Sequence, residues 1–441
     1  MSRARNVSRE AHKQRTWSYQ STVCLMLLVL AVTLAGSYWV DIVQQLLDEP
    51  NPRGEATQPE WYRYTDGGYN FDFFQYYAGG HNWSQGLDPY LNHPDNASAI
   101  QNPRHDDRSV SGYIYPPTWL PLFAAFARMD YEQARLGWFA LNVGLFALLV
   151  AVAALASPGR RLEVLTAAVL LTLCSYPFLY HVHQGQIDLI VAALAVGAFL
   201  VYPRWHGWPS AVLFALAICV KVTPVLLLVA MVAYFRDARL LLRALACLVA
   251  LGLVSLMAVS PHLYWQYVFD VLPRISVSDP SRYNQTLMRF WSAWPQVLRA
   301  FSLLGYAALV FLAYVCGKAR VSPGRRQPRV GPRTEALAVL ALAVTMTLMF
   351  SPLAWQMAYV MTIVPMALLL TASGPRDAPW APLVLALGTG LMSMRVFDVQ
   401  VLNLLNALGA AVVVLCLLYY YLPLQASPAS SALPAPAERE G

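Results

Sequence analysis

His181-Val-His-Gln-Gly-Gln-Ile-Asp188, set between two apolar helix-length runs, and Lys221-Val-Thr-Pro224 further along decide how this chain is read. An uncharged run of about 20 residues has the length of a bilayer span, and an unpaired charge inside one costs several kcal/mol. Histidines, glutamines, an aspartate and a lysine at the ends and in the interior of such runs are therefore candidates for chemistry or for holding a substrate.

Composition agrees. With 57% hydrophobic and only 12% charged residues, and a mean hydropathy of +0.44, the chain has too little polar surface to be solvated as a soluble globule. The expectation is an all-α polytopic membrane protein. Cys24, Cys174, Cys219, Cys247, Cys316 and Cys416 all lie in apolar runs without metal-ligand spacing, so they read as small packing residues and neither a disulfide nor a metal site is expected. The net charge of +7 suits basic loops facing anionic lipid, and the arginines are too scattered for a nucleic-acid stripe.

The first apolar run, about 22–43, follows Arg3, Arg5, Arg9, Lys13 and Arg15. It is longer than a signal-peptide core and ends without a small-residue cleavage site, so an uncleaved anchor is expected. Further spans are expected at about 133–156, 162–180, 187–202, 240–259, 296–317, 335–350, 355–372, 380–393 and 398–421. The positive-inside rule places the basic loop 318–334 in the cytoplasm, along with Arg160, Arg161, Arg236, Arg239 and Arg243.

Arg204 and Arg236 must then share a side, although the segment between them is mostly apolar. One straight helix would separate them. Two short helices that break at Lys221-Val-Thr-Pro224 bring them together, because proline removes a helix donor and disfavours helical geometry in Thr223. Irregular backbone at that depth is tolerated only inside protein or beside a cavity, so Lys221 is expected to face a polar chamber. The total is about twelve transmembrane helices, counting the 209–234 hairpin as two, with both termini cytoplasmic.

The domain reading is a basic tail over 1–21, a transmembrane domain over 22–421 and a proline- and serine-rich disordered tail over 422–441. Two outer loops have substance. The larger, 44–132, is rich in aromatics and acids and should carry short surface helices, one of them over 117–128, which is too short to span. The second covers 260–295.

Sugar transfer from a lipid phosphate needs a carboxylate to take a hydroxyl proton, cations for the departing phosphate, and aromatic and amide groups for the sugar. Asp72, within Tyr69-Asn-Phe-Asp-Phe-Phe-Gln-Tyr-Tyr77, is an acid among apolar rings, where its pKa can rise toward working pH; a solvated loop acid is the alternative. Lys221 is a natural phosphate clamp or a snorkelling lysine. His181 and His183 are donors to phosphate or sugar, or interfacial histidines. Gln184, Gln186 and Asp188 are costly together in a span unless they hydrogen-bond to neighbouring helices. Arg282 and Arg289 reach the same phosphate or are outer-loop charges, and the tryptophans and tyrosines have an alternative role as an interfacial belt.

The order of motifs resembles a known family. An aspartate-aromatic stretch, then Gly86-Leu-Asp-Pro-Tyr90, Tyr113-Ile-Tyr-Pro-Pro117, Gln184-Gly-Gln-Ile-Asp188, Lys221-Val-Thr-Pro224, Asn284-Gln-Thr-Leu287 and Ser351-Pro-Leu-Ala-Trp355 are similar to glycosyltransferase family 87 of the GT-C superfamily. The resemblance implies a GT-C-like fold and an inverting transferase. Such an enzyme takes a hexose, typically mannose, from a polyprenyl-phosphate donor to a glycolipid or glycan on the outer face of the bacterial cytoplasmic membrane, with no cofactor, nucleotide sugar or metal.

It makes Asp72 the catalytic base and aligns Lys221 with the family's Lys-x-x-Pro lysine; charge and topology turn that lysine toward phosphate. The expected phosphate set is Lys221, Arg282, Arg289 and His183, and the expected substrate set is Gln186, Asp188, Tyr115, Asn284, Gln285 and Trp355. Two departures stand out: Trp355-Gln-Met-Ala358 lacks the histidine pair common in the family, and the usual Gly-Gln-x-Asn reads Gly185-Gln-Ile-Asp188. His181 or His183 is a candidate to compensate. The rival reading is a transporter or flippase of lipid-linked sugars, which also needs a cationic cavity and broken helices, although the chain shows no convincing internal repeat.

Overall fold

The structure is a computed structural model that describes residues 71–90, 113–155, 161–173, 175–205, 207–275, 294–321, 330, 332–351, 356–371, 380–393 and 399–422. The expected first span 22–43, both tails, much of the 44–132 loop and most of the basic loop 318–334 lie outside the described residues. Among the described residues every regular element is helical.

Two elements come from the first of the two loops expected on the outer face. Helix α1 (Phe71–Ser84) packs on α2 (Leu120–Phe126), which follows a tight turn at Pro117–Trp119. The approach is close because Gly80 has no side chain: a Cβ there would stand 2.3 Å from the Phe123 carbonyl carbon. Phe73, Tyr76, Leu120 and Phe123 fill the seam and are fully buried.

The bundle follows as α3 (Tyr131–Leu155), α4 (Arg161–Leu173), α5 (Tyr176–Gln184), α6 (Asp188–Trp205), α7 (Trp208–Val220), α8 (Pro224–Phe235) and α9 (Ala238–Ser255). The second of those loops, 260–295, is largely helical where described, with α10 (Pro261–Gln266) running on through Ile275. The rest is α11 (Pro295–Val321), α12 (Pro332–Phe350), α13 (Val360–Thr371) after a turn at Gln356–Tyr359, α14 (Ala381–Ser393) and α15 (Val399–Cys416). Helices α12 and α13 are apolar nearly all round and form the buried centre. Helices α9 and α11 lie outermost, and Leu242, Leu245, Val249 and Leu253 give α9 an exposed apolar face.

Among the described residues, four helical stretches are long and apolar enough to cross a membrane, 133–152, 238–255, 299–319 and 404–421, beside seven shorter apolar helices. An all-helical bundle that turns leucine faces outward along its length is a polytopic membrane protein.

The expected broken hairpin is present. The Tyr202 hydroxyl at the end of α6 donates to Asp237 at the start of α9 over 3.0 Å, and the Tyr202 ring meets Phe235 at the end of α8. The Arg243 guanidinium on α9 lies 5.9 Å from the ring centre of Trp208, the first residue of α7. The start of α7 and the end of α8 therefore share one end of the bundle, so α7 runs away from it and α8 returns. At 13 and 12 residues, each is only about 20 Å long.

Two expectations need correction. The run 162–180 is not one helix: it divides between α4 and α5 at Ser175, which is extended, and Pro177 sits in the first turn of α5 where its missing N–H costs nothing. The hairpin breaks within Lys221–Pro224 as expected, but Thr223 is not the residue that leaves the helix. Lys221 takes extended angles (φ −152°, ψ 139°), whereas Thr223 is helical (φ −53°, ψ −33°) as the cap before Pro224. Proline starts α8, and the reversal is made by the lysine.

Candidate active site

The far end of that hairpin holds the polar cluster. On α1, Asp72, Gln75 and Tyr76 stand at i, i+3 and i+4, one face of a helix. Asp72 is buried, and Gln75 Nε2 donates to its Oδ1 over 3.3 Å. Its other oxygen accepts from Gln186 Nε2, reached from a distant part of the chain.

The corner that delivers Gln186 is built by Gly185. This residue has φ 66°, a left-handed conformation that favours glycine. Its N–H bonds to the Val182 carbonyl and the Gln186 N–H to that of His181, at 3.2 and 3.1 Å, which closes the end of α5 as a Schellman motif. Trp138 on α3 donates its indole N–H to the Gly185 carbonyl over 2.7 Å. Asn142, one turn on, donates to the Trp138 carbonyl and faces His181 Nε2 at 3.3 Å. Because the Asn142 amine is turned to a carbonyl, its oxygen faces the ring, so Nε2 is the protonated nitrogen of His181.

Past the corner, Asp188 opens α6 and is 1% exposed, and Lys221 Nζ donates to its Oδ1 over 2.7 Å. Lys221 is the more accessible member of the pair, its side chain 29% exposed. The cost of an acid in this apolar setting is thus met by an ion pair between the two helix breaks.

Burial pushes the Asp72 carboxyl from 3.8 up to about 7; the Gln186 donor and Lys221 pull it down, and Asp188 pushes it further up. Burial also holds Tyr76 and Tyr115 well above the usual phenol range, so both keep their protons. A carboxyl that ionises near neutrality, a paired ammonium within its field and a set of phenols and amides form an arrangement suited to proton abstraction beside an anion.

The motifs of the two loops expected outside are joined by hydrogen bonds. Asp88 accepts from the Tyr90 backbone N–H at 2.8 Å and from Gln266 of the second loop at 2.6 Å. Tyr90 donates to the Tyr115 carbonyl at 3.0 Å, and Thr118 and Tyr264 join their hydroxyls at 3.2 Å. The segment Tyr113-Ile-Tyr-Pro-Pro117 is in this way tied to Tyr90 of its own loop, and the adjoining Thr118 to Tyr264 of the other.

The model of glycosyltransferase family 87 matches residues 113–352, over half of the chain. The chain belongs to glycosyltransferase family 87. No curated protein and no solved structure matches it. The family match takes in Tyr115, Gln186, Asp188 and Lys221 and starts after Asp72, which the fold alone brings to the same place.

Of the residues singled out from sequence, this glycosyltransferase brings together Asp72, Tyr115, Gln186, Asp188 and Lys221. His183 lies on α5, with its side chain outside the described residues, as are Arg282, Arg289, Asn284, Gln285 and Trp355. The turn Gln356–Tyr359, where the family's histidine pair is missing, packs against α5 and so beside the helix of His181. Tyr76, Gln75, Trp138 and Asn142 carried no individual role in the sequence reading. The helical spacing of Asp72, Gln75 and Tyr76 is a legible signal for the first two; nothing local marks Trp138.

Proposed function

We propose that this family 87 protein is an inverting glycosyltransferase that moves a hexose, with mannose as the expected sugar, from a polyprenyl-phosphate donor to a glycolipid or glycan acceptor. The observation that carries the reading is the meeting of Asp72 with the Lys221–Asp188 pair at one end of the bundle, in a chain of this family.

In the reaction, an acceptor hydroxyl attacks the anomeric carbon from the face opposite the phosphate. The new carbon–oxygen bond forms as the bond from that carbon to the phosphate oxygen breaks, so the configuration inverts. Asp72 takes the hydroxyl proton, and the bonding pair leaves with the polyprenyl phosphate. Lys221 turns its ammonium to the departing charge, joined by Arg282 or Arg289 and by His183, while Tyr115, Asp188, Asn284, Gln285 and Trp355 serve the substrates. The donor arrives activated, and we assign no cofactor and no metal. His181 or His183 stands in for the missing histidine pair.

The setting is the bacterial cytoplasmic membrane, with about twelve spans, both termini in the cytoplasm and the polar end of the hairpin outside. The arginines at the opposite end support that orientation. The test is to incubate purified protein with a panel of polyprenyl-phosphate sugars and host lipid extract and to weigh the products. New glycosidic bonds that vanish in Asp72→Asn support the reading. Flipping of labelled lipid in liposomes without new bonds replaces it by a flippase.

A further inference from the structure

Gln186 is the hub of the buried cluster, and the way it is held points to its task. Its Oε1 lies 3.3 Å from the Tyr76 hydroxyl and 3.5 Å from that of Tyr115, and these two hydroxyls are 3.0 Å apart. Two phenol protons serve three oxygens, so the amide oxygen receives at least one of them. That settles which way the amide faces: with its oxygen toward the phenols, Nε2 faces Asp72. The opposite orientation would set an amide oxygen against a carboxylate.

We infer that Gln186 is a positioning residue, clamped by the Tyr76 and Tyr115 phenols and donating its amide N–H to Asp72, so that the buried carboxylate is both aimed and kept in its charged form. The inference rests on the reading of Asp72 as the base. A buried acid with no donor would stay protonated and could not accept a proton; one donor to the charged form restores part of its acidity. The glycine before Gln186 follows from the same need, because the left-handed turn at Gly185 aims the next side chain back at α1.

The other groups that face Asp72 are few. Gln75 shares its helix, Tyr115 comes from the segment before α2, Asp188 and Lys221 come from the two helix breaks, and α2 itself brings no titratable side chain. Helix α5 contributes His181, which lies within the fields of Asp188 and Lys221, and α3, which also packs on α1, carries the buried Arg135. The amide is the one described hydrogen-bond donor to Asp72 that comes from outside α1.

The experiment reads the carboxyl directly. In pH-difference infrared spectra of the full-length protein in lipid nanodiscs, the carboxyl band missing from Asp72→Asn belongs to Asp72, with a midpoint near pH 7. In Gln186→Met, which keeps the bulk and removes the donor, the midpoint should rise by about one unit or more. In Tyr115→Phe it should rise by less, because Tyr76 still holds the amide. An unmoved or lowered midpoint, in whichever of these variants folds, overturns the inference. With polyprenyl-phosphate mannose and host lipid extract, the ascending limb of kcat/KM against pH should move with the infrared midpoint. If Asp72→Asn still transfers sugar while the infrared shift is present, the base assignment falls and the positioning of the carboxyl stands.

Discussion

The two ends of the α6–α8 unit use the same residue types in opposite ways. At one end Asp237 caps α9, accepting from the backbone N–H groups of Arg239 and Leu240 and from the Tyr202 hydroxyl, while Arg236 and Arg239 reach solvent and Arg243 lies over Trp208. The backbone partners of Asp237 follow from its own helix cap, and Tyr202, 35 residues away, adds a hydroxyl to an acid that is only half-buried. At the other end Asp72 and Asp188 are buried, their partners come from segments over a hundred and over thirty residues away, and two of the helix ends are irregular. An acid explained by its own helix is structural; two acids buried together with a single described ammonium between them call for a further function.

That contrast can be broken most directly at the acids. Asp72→Asn should leave the protein folded and lower transfer by about three orders of magnitude, measured as product mass per time, whereas Asp237→Asn should leave transfer unchanged. Equal effects would abolish the distinction. Next comes the ion pair. Lys221→Met strands Asp188, and should lower transfer about a hundredfold and cost about 2 to 3 kcal/mol of stability, a range reduced for the lysine's partial exposure. Adding Asp188→Asn should recover most of the melting temperature without restoring transfer, which separates the structural from the chemical use of the lysine.

Gly80→Ala tests the scaffold beneath the polar end. The new methyl would press into the backbone at Phe123, and α2 must move off α1 at a cost of about 3 kcal/mol, seen as a lower melting temperature together with lost transfer. A pH series sharpens the comparison further. The active form of Asp72 is the deprotonated one, so kcat/KM should fall about tenfold from pH 8 to pH 6 as the acid passes through about 7. The native state keeps a proton that the unfolded chain releases between 3.8 and about 7, so the burial of Asp72 weighs on stability above that window and not below it. Asp72→Asn should therefore stabilise the protein at pH 8 more than at pH 4. The smallest effect belongs to the ordinary end, where Asp237→Ala should lose about 1 kcal/mol from the helix cap and leave the pH profile of transfer as it was.

Hydropathy and the positive-inside pattern were enough to announce a helical membrane protein and a hairpin that returns at Arg236, because both depend on sums over many residues. The motif order was enough for the family. Local geometry at single residues was less legible: Thr223 took helical angles before a proline because the extended Lys221 had already turned the chain, and Ser175 interrupted a run that hydropathy alone reads as continuous.

The sequence by itself determined the medium and the composition of the site: apolar runs too long for water, and acids, amides and a lysine too costly to bury without purpose. Only the tertiary structure decided which of them meet. Asp72 lies more than a hundred residues from Gln186 and Lys221, and no periodicity carries information across that distance. Their contact arises because Gly80 lets α2 lie against α1, Gly185 turns Gln186 back toward the acid, and the extended Lys221 brings its ammonium to Asp188.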